Sequence, residues 1–180
     1  MILDLTVTRS PLGPLALFAQ ETQLVGLTLD GRHDGDSEVV RHLRRHLGPF
    51  TTRTHPDAAG AATRLERFFA GDLGMLEAQP VRLHGTPFQC EIWRALRRIP
   101  TGETWSYAQL AAAVGRPNAV RAAGAANGAN PISLFVPCHR VIGSDGTLWG
   151  YGGGLPMKQW LLRHEGAQAV RGEALAPANA

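Results

Sequence analysis

The segment Pro137-Cys138-His139-Arg140-Val141 places a thiol directly beside an imidazole and decides how the second half of the chain is interpreted. An apolar run, Ile132-Ser133-Leu134-Phe135-Val136, precedes it, and a glycine-rich segment from Gly143 to Gly154 follows it. A thiol delivered by a buried run into a flexible loop favours a reactive site. A cysteine is also often a small buried hydrophobe with a chance neighbour, so the surrounding sequence has to decide between the two.

The composition indicates a globular protein of one or two small domains without membrane or secretion signals. The chain has 180 residues, of which 44% are hydrophobic, and this is enough for a real core. Its sequence contains no apolar run of about eighteen residues, and its first residues lack both a basic and a long apolar segment. Cys90 and Cys138 lie far apart, which disfavours a disulfide framework and favours a reducing, cytoplasmic location.

Positive charge is concentrated in the second half of the chain. Residues 1–85 hold nine basic and ten acidic side chains, whereas residues 86–180 hold nine basic and five acidic ones. The second half is therefore the half expected to face a polyanion. Seventeen of the eighteen basic residues are arginine, and a coding bias also produces this composition, so charge alone does not identify the partner.

The first eighty residues predict a small α/β domain. Alternating apolar and polar residues predict antiparallel strands at 3–8, 15–19 and 24–29. Helices are predicted from a Ser37 cap to Leu47 and over 58–69, and a further strand is predicted over 80–84. His42 and His46 have the i, i+4 spacing of a metal-binding pair. No third ligand is near them in the sequence, so we expect a solvated helix face and no metal.

The second half opens with a strong helix start, Thr86-Pro87-Phe88-Gln89, in which Thr86 caps and Gln89 completes a capping box. This helix is predicted to reach Ile99, because Pro100 ends it. Cys90 lies inside it without a basic neighbour and is expected to be a structural thiol.

Two short helices then form a helix-turn-helix candidate. Thr104 or Ser106 caps the first, which ends at Val114, and Asn118 begins the second. The second helix consists mostly of alanine and glycine, with Arg121 as its one long side chain. This favours a helix that inserts one side chain into DNA over one that reads bases, and an ordinary packed helix has the same pattern. A last helix is predicted over 156–164, and a disordered tail over 167–180.

Six motifs occur in order within the region from Thr86 to Glu165, which is about 80 residues long. They are Ile99-Pro100-x-Gly102-x-Thr104-x-Ser106-Tyr107, Arg121-Ala122 with Gly124, Asn127-Gly128-x-Asn130-Pro131, Pro137-Cys138-His139-Arg140-Val141-Ile142, Gly150-Tyr151-x-Gly153-Gly154 and Lys158-x-x-Leu161-Leu162-x-x-Glu165. Any one of them alone is weak evidence. Together they make the chain resemble the O6-alkylguanine-DNA alkyltransferases, the methylated-DNA–protein-cysteine methyltransferases.

The resemblance implies an α+β fold. A small N-terminal α/β domain with a ribonuclease H-like sheet would cover 1–80, and a mostly helical, winged-helix-like domain with a helix-turn-helix would cover 81–166. It also implies DNA repair by a monomer without a cofactor. The alkyl group of O6-alkylguanine in duplex DNA, with O4-alkylthymine as a further candidate substrate, would move irreversibly to Cys138 in a single turnover. The cysteines that hold zinc in some members are missing, since no cysteine precedes Cys90.

The resemblance also implies five catalytic residues: Cys138, His139, Glu165, Asn130 and Tyr107. A thiol has a pKa of about 8.5, so its attack needs a base. In an extended backbone adjacent side chains point to opposite faces, so His139 needs a bridging water or a bent backbone to reach Cys138. This agrees with the family's relay of cysteine, water, histidine and glutamate. Tyr107 would assist the leaving guanine, and Asn130 would fix the backbone around Cys138.

Further residues are implied in DNA and base binding. O6 of guanine is inside the duplex, so the nucleotide has to be flipped out, and Arg121 would fill the gap in the stack. Residues that would contact the DNA are Ser106, Arg116, Ala119 and Ala122, in addition to Arg121. Residues that would bind the flipped base are Tyr107, Val141, Tyr151 and Gly152. Relatives carry Ser where this chain has Gly152, which leaves the rigidity of that loop open.

Three functions other than alkyl transfer share some of these sequence features. A non-catalytic alkyltransferase-like protein senses lesions but lacks the cysteine, whereas Cys138 stands within an intact motif. A helix-turn-helix regulator needs base-reading side chains on its second helix. A Cys-His hydrolase needs an oxyanion hole and normally a histidine distant in sequence. All three fit the sequence less well than alkyl transfer.

Overall fold

The sheet of the first half is built from the three predicted strands and one more. The computed structural model describes residues 1–167. In it β1 (Ile2–Ser10), β2 (Gly13–Gln20) and β3 (Gln23–Thr28) pair antiparallel, which confirms the predicted strands. β4 (Thr51–Thr54) pairs parallel with β1, and the strand order is β3-β2-β1-β4. The sequence pattern does not predict β4, because its four residues are all polar and exposed.

Two helices accompany this sheet. α1 (Glu38–Leu47) begins at the predicted cap, where Ser37 Oγ accepts a hydrogen bond from the Val40 amide, and ends before Gly48. α2 (Ala61–Phe69) starts three residues later than predicted, because Ala58–Gly60 forms a 3₁₀ turn in which Ala59 has a φ of 55°. The buried residues that pack together on the α1 side of the sheet are Leu3, Leu5, Ala16, Phe18, Val25, Val40 and Leu43.

The strand predicted over 80–84 is wrong. Only Val81 forms a bridge with Leu24, through hydrogen bonds that join Leu24 to Pro80 and Arg82. The chain then leaves the sheet edge, and the carbonyl of His84 lies 2.5 Å from Nε2 of His42 instead. His42 and His46 therefore have a third histidine nearby that sequence spacing did not reveal. Within residues 1–167 no group of three His, Cys, Asp or Glu side chains is arranged to hold a metal ion.

The second half begins with the predicted capping box. In α3 (Pro87–Leu96) Thr86 Oγ1 accepts from the Gln89 amide at 3.3 Å, and Gln89 Oε1 accepts from the Thr86 amide at 2.9 Å. The helix ends three residues before the predicted end, because the amides of Arg98 and Ile99 turn back to carbonyls three residues earlier.

Two short helices follow, each beginning close to its predicted start. α4 (Tyr107–Ala113) is capped by Ser106, the second of the two predicted caps. α5 (Val120–Gly128) begins two residues after Asn118, since the Ala119 amide still bonds to Arg116 in the preceding turn. β5 (Trp105–Ser106) and β6 (Val141–Ile142) pair parallel, and α6 (Leu155–His164) is the last helix of the described chain.

The contacts divide the chain into two compact units, and its fold is a mixed α+β one. The first unit holds Met1–Gly85 together with Pro131–Phe135, and the second holds Thr86–Asn130 and the residues from Val136 onward. The excursion 131–135 joins the first sheet, where the Leu27 amide donates to the Pro131 carbonyl at 2.8 Å. The tail predicted over 167–180 lies, apart from Ala167, outside the described residues. In the part of the chain that is described, no helix is long and apolar enough to cross a membrane.

Candidate active site

Cys138 opens a one-turn 3₁₀ helix, Cys138–Arg140, that follows Pro137. Its side chain is almost fully buried, and its amide donates to the Val136 carbonyl at 2.8 Å. The backbone at this point is not extended. In a 3₁₀ helix successive side chains are about 120° apart, not on opposite faces. Of the two alternatives that the sequence left open, a bridging water or a bent backbone, the bent backbone is present.

Glu165 lies beside His139, although the two are far apart in sequence. The His139 ring is fully buried, and its Nε2 lies 3.1 Å from Glu165 Oε1. Glu165 directly follows α6 and is also buried. Burial raises the pKa of its carboxyl, but the interactions with His139 and Arg140 outweigh burial and lower that pKa to about 2. The carboxylate is thus charged at neutral pH and holds the imidazole from one side.

Arg140 is a residue of this network that sequence reasoning missed. Its Nε and Nη2 donate to the two oxygens of Glu165, each at 2.8 Å. Nη1 donates to the Ile99 carbonyl at 2.6 Å, and Nη2 also donates to Thr101 Oγ1 at 3.0 Å. A charged residue within an otherwise buried run was the available signal, because a buried arginine nearly always has a partner. Arg140 fixes the position of Glu165 and, through it, that of His139.

Gly102 lets the end of α6 come close to this network. It has a φ of 81°, and a Cβ there would lie 3.1 Å from the Glu165 carbonyl oxygen. Both its backbone conformation and this close approach favour glycine. This gives a physical reason for the glycine in the motif that begins at Ile99.

Several buried polar atoms near Cys138 have no hydrogen-bond partner among residues 1–167. Besides Asn127 Oδ1, two of them lie on neighbouring rings, namely Nδ1 of His139 and the hydroxyl oxygen of Tyr151. The two rings meet edge to face with centroids 6.4 Å apart. Burial raises the pKa of Tyr151 well above its ordinary value, and the nearby Cys138 and Glu165 charges raise it further. Both polar atoms are therefore available to a small molecule or a water beside the thiol.

A cleft of about 390 Å³ lies next to these groups. Its lining residues are Tyr107, Gly124, Asn127, Gly128, Gly150, Tyr151 and Gly152. Tyr107 is the first residue of α4 and packs beside Gly124, where an added Cβ would lie 3.5 Å from the tyrosine ring. Burial raises the pKa of Tyr107, and the Cys138 charge raises it further. The tyrosine therefore stays protonated at neutral pH, next to the cysteine.

Two asparagines hold the backbone on either side of Cys138. Asn130 Nδ2 donates to the Val136 carbonyl at 2.7 Å. Asn127 Nδ2 lies 3.4 Å from the Cys138 carbonyl oxygen, and Asn127 also lines the cleft. Sequence reasoning singled out Asn130 but took Asn127 only as part of the turn that ends α5. The helix end thus positions the cysteine backbone at two points.

Of the residues implied in base binding, Val141 is buried and Gly152 is exposed. The Val141 amide bonds to Cys138, and its carbonyl accepts from Lys158 Nζ at 2.7 Å. A Cβ added at Gly152 would meet no atom within 4 Å, so the serine of relatives would fit there without displacing a neighbour.

The residues implied in DNA contacts lie on or next to α4 and α5. Arg121 and Ala122 are exposed, Ala119 precedes α5, and Ser106 caps α4. Arg121 forms no hydrogen bond or ion pair with any residue that the structure describes. Arg116 is exposed as well, but its Nη2 lies 3.3 Å from Glu91 and its guanidinium lies over the Phe88 ring at 5.2 Å.

Comparison with known proteins decides the family. Residues 87–167 match the family model of the 6-O-methylguanine DNA methyltransferase DNA-binding domain. A methylated-DNA–protein-cysteine methyltransferase of Salmonella typhimurium is 48% identical over 87% of this chain and 92% of its own length. This chain belongs to the methylated-DNA–protein-cysteine methyltransferase family. The resemblance inferred from the six motifs is therefore confirmed.

Other methylated-DNA–protein-cysteine methyltransferases and a solved structure agree with this assignment. The constitutive Bacillus subtilis protein is 40% identical over 89% of this chain and 93% of its own length. The crystal structure of Mycobacterium tuberculosis OGT in complex with DNA has a TM-score of 0.73 and 40% identity, and covers 90% of this chain and 92% of that one. Both relatives span the two units, so family membership extends beyond the region that carries the motifs.

Proposed function

We propose that this protein repairs DNA by transferring the alkyl group of O6-alkylguanine to Sγ of Cys138. The bond between sulfur and the alkyl carbon forms as the bond between that carbon and O6 breaks. The thiol proton passes to His139, and guanine gains a proton in place of the alkyl group. A thioether is not reversed by water, so each molecule acts once. The names of its methyltransferase relatives support the reaction class.

The observation that carries this proposal is the position of Cys138. Its side chain is almost fully buried, and its charge acts on Tyr107 and Tyr151, which line the cleft. Cys138 also shares one helical turn with His139, whose carboxylate partner is held by an arginine. Glu165 stabilises the imidazolium that forms when His139 takes the thiol proton. The second ring nitrogen of His139 and the Tyr151 hydroxyl offer partners to a water that carries this proton. The relay thus consists of Cys138, a water, His139 and Glu165.

Tyr107 acts on the leaving group. Its hydroxyl belongs to a protonated phenol that lines the cleft beside Cys138. A hydrogen bond or proton from this hydroxyl to a guanine ring nitrogen disperses the negative charge that develops as the C–O6 bond breaks. The backbone of Tyr151–Gly152 lines the cleft and binds the base edges, while Asn130 holds the cysteine segment in place. Val141, whose amide and carbonyl already have partners within the chain, borders the site through its side chain.

α4 and α5 bind the duplex as a helix-turn-helix. The exposed face of α5 is made of small residues around Arg121, so its backbone can approach the groove and Arg121 can take the place of the flipped nucleotide. Ser106, Ala119 and Ala122 lie next to the backbone phosphates. Arg116 also contacts the DNA when a phosphate replaces Glu91 as the partner of its guanidinium. The Mycobacterium tuberculosis OGT–DNA complex supports DNA as the partner.

We assign residues 1–80 to an N-terminal domain and residues 81–166 to an alkyltransferase domain, whereas the contacts group residues 81–85 and 131–135 with the first unit. The strand order β3-β2-β1-β4, with β4 parallel to β1, supports a ribonuclease H-like assignment for the first. The β5–β6 pair beside α4 and α5 supports a winged-helix-like assignment for the second. The protein acts as a monomer, since a single chain contains every residue of the proposed site. Its cytoplasmic location is supported by the wide separation of Cys90 and Cys138 in the sequence, which favours a reducing compartment.

The decisive experiment follows the methyl group. The protein is incubated with a duplex oligonucleotide that carries O6-methylguanine, digested and analysed by mass spectrometry. We expect one methyl group on the Cys138 peptide and consumption of one equivalent of substrate. Cys138→Ser abolishes the transfer, whereas Cys90→Ser, a change of the buried thiol in α3, retains it. A methyl group on Cys90, or turnover beyond one equivalent, contradicts the proposed reaction.

A further inference from the structure

Lys158 is a buried cation that the reaction described above does not use. It is the only lysine of the chain, and it is fully buried in α6. Its Nζ donates to the Val141 carbonyl at 2.7 Å and to the Trp149 carbonyl at 2.8 Å. Burial of an unpaired ammonium is unfavourable, so a lysine in such a place calls for a specific function.

The two carbonyls belong to segments that border the site on different sides. Val141 directly follows the Cys138–Arg140 turn, and Trp149 directly precedes Gly150-Tyr151-Gly152 of the cleft. The segment 143–154 is rich in glycine and forms neither helix nor strand. Such a backbone has many accessible conformations, and an ammonium that binds Trp149 of this segment and Val141 next to the cysteine turn reduces their number.

Lys158 is also electrostatically coupled to the nucleophile. Burial lowers the pKa of Lys158 to about 8, and the nearby Cys138 charge opposes this by raising that pKa. The interaction is mutual, so the ammonium in turn favours the thiolate form of Cys138. At neutral pH most of the lysine is charged, and it favours the thiolate.

We propose that Lys158 is the positioning residue that fixes the cleft wall relative to Cys138 and stabilises its thiolate. This rests on the proposed function in that Cys138 is the alkyl acceptor. The other ionisable groups around Cys138 are Tyr107, Tyr151 and His139, with Glu165 and Arg140 behind the histidine. The two tyrosines are neutral at neutral pH, and Arg140 is bound to Glu165. Lys158, whose ammonium bonds to two backbone carbonyls, is therefore the cation that acts on the thiol.

The first test measures thiolate formation without DNA. The rate of Cys138 alkylation by iodoacetamide is followed against pH in the wild type, in Lys158→Met and in Arg94→Met, which removes one exposed charge from α3. We expect the apparent thiol pKa to rise only in Lys158→Met, with the thiolate fraction at neutral pH falling about tenfold per unit of that rise. In Lys158→Met we expect the rate of methyl transfer from O6-methylguanine in duplex DNA to fall by at least the same factor as the thiolate fraction. An unchanged pH profile in Lys158→Met overturns the proposal.

The second test does not depend on a variant of the lysine. Because Lys158 is the only lysine, ¹³C-lysine labelling gives a single side-chain signal whose titration reports its pKa directly. We expect this pKa to fall when Cys138 is alkylated by iodoacetamide or replaced in Cys138→Ser, since the thiolate charge is then absent. If the pKa of Lys158 stays the same after both changes, Lys158 and Cys138 are not electrostatically coupled and the proposal is overturned. Neither test requires DNA repair activity, so failure of the proposed function leaves their outcome readable.

Discussion

At the residue scale, the site depends on one carboxylate with two buried partners. Glu165 contacts Nε2 of His139 and accepts two hydrogen bonds from Arg140. Removing one member of such a buried ion pair leaves an uncompensated charge, which typically costs 3–5 kcal/mol. The network therefore contributes to the stability of the fold around Cys138 as well as to its chemistry.

The lowered pKa of Glu165 predicts how stability depends on pH. A carboxyl whose pKa falls from 4.5 to about 2 on folding contributes about 3 kcal/mol at neutral pH. This contribution is complete above pH 4.5 and is lost as the pH falls towards 2. We expect Glu165→Gln to be less stable than the wild type at pH 7, and the difference in unfolding free energy to shrink between pH 5 and pH 2. Urea unfolding at several pH values measures it.

An exposed carboxyl provides the control for this prediction. Glu38 of α1 is largely solvent-exposed, so Glu38→Gln should change the unfolding free energy little at any of these pH values. If the wild type and Glu165→Gln lose stability in parallel on acidification, Glu165 is not held ionised by its neighbours in the folded state.

The sequence could predict the residues that we propose to react but not the buried charged side chains next to them. Cys138, His139 and Glu165 stand in motifs whose order matches the family, and the structure places them together. Arg140 and Lys158 stand in the same motifs, but hydrophobic patterning treats an arginine or lysine as exposed. Their burial depends on partners that the fold supplies, the Glu165 carboxylate for one and the Val141 and Trp149 carbonyls for the other. Local sequence does not contain that information.

At the element scale, helix starts were predictable where a side chain caps the helix. Ser37, Thr86 and Ser106 each accept a hydrogen bond from an amide in the first turn. α5 has Ala119 at its N-cap, which has no capping side chain, and its predicted start was two residues early. β4 was missed for a similar reason, because its pairing with β1 uses the backbone and its polar side chains give no alternation.

The cap of α4 predicts a separate effect on stability and on reaction rate. Ser106→Ala removes the hydrogen bond to the Gln109 amide, 3.1 Å long, and should cost about 1 kcal/mol in unfolding free energy. Because Tyr107 is the next residue, we also expect slower transfer from the free base O6-benzylguanine, which needs no DNA contact. Thr86→Ala disrupts the equivalent cap of α3 without touching Tyr107. Equal transfer rates in the two variants would show that the α4 cap does not position the tyrosine.

At the scale of the whole molecule, the residues that precede Cys138 belong to two different units. Between Asn130 and Val136 the chain leaves the second unit, contributes five residues to the first and returns two residues before the cysteine. The ends of this excursion are joined within the second unit by the hydrogen bond from Asn130 Nδ2 to the Val136 carbonyl. The excursion is buried, and Leu134 within it has a left-handed φ of 73°. A strained segment of this kind persists only when its surroundings hold it.

Loss of the Asn130 side chain should therefore loosen the segment that carries the nucleophile. Asn130→Ala removes one of the two donors to the buried Val136 carbonyl, and the loss of one hydrogen bond should cost about 1 kcal/mol in unfolding free energy. We expect faster hydrogen exchange at the Cys138 amide, which donates to the same Val136 carbonyl, and slower methyl transfer. Asn118→Ala, a matched change of an exposed residue in the turn before α5, should alter neither. If Asn130→Ala loses stability while exchange at Cys138 stays at the wild-type rate, the hydrogen bond supports the fold without holding the cysteine.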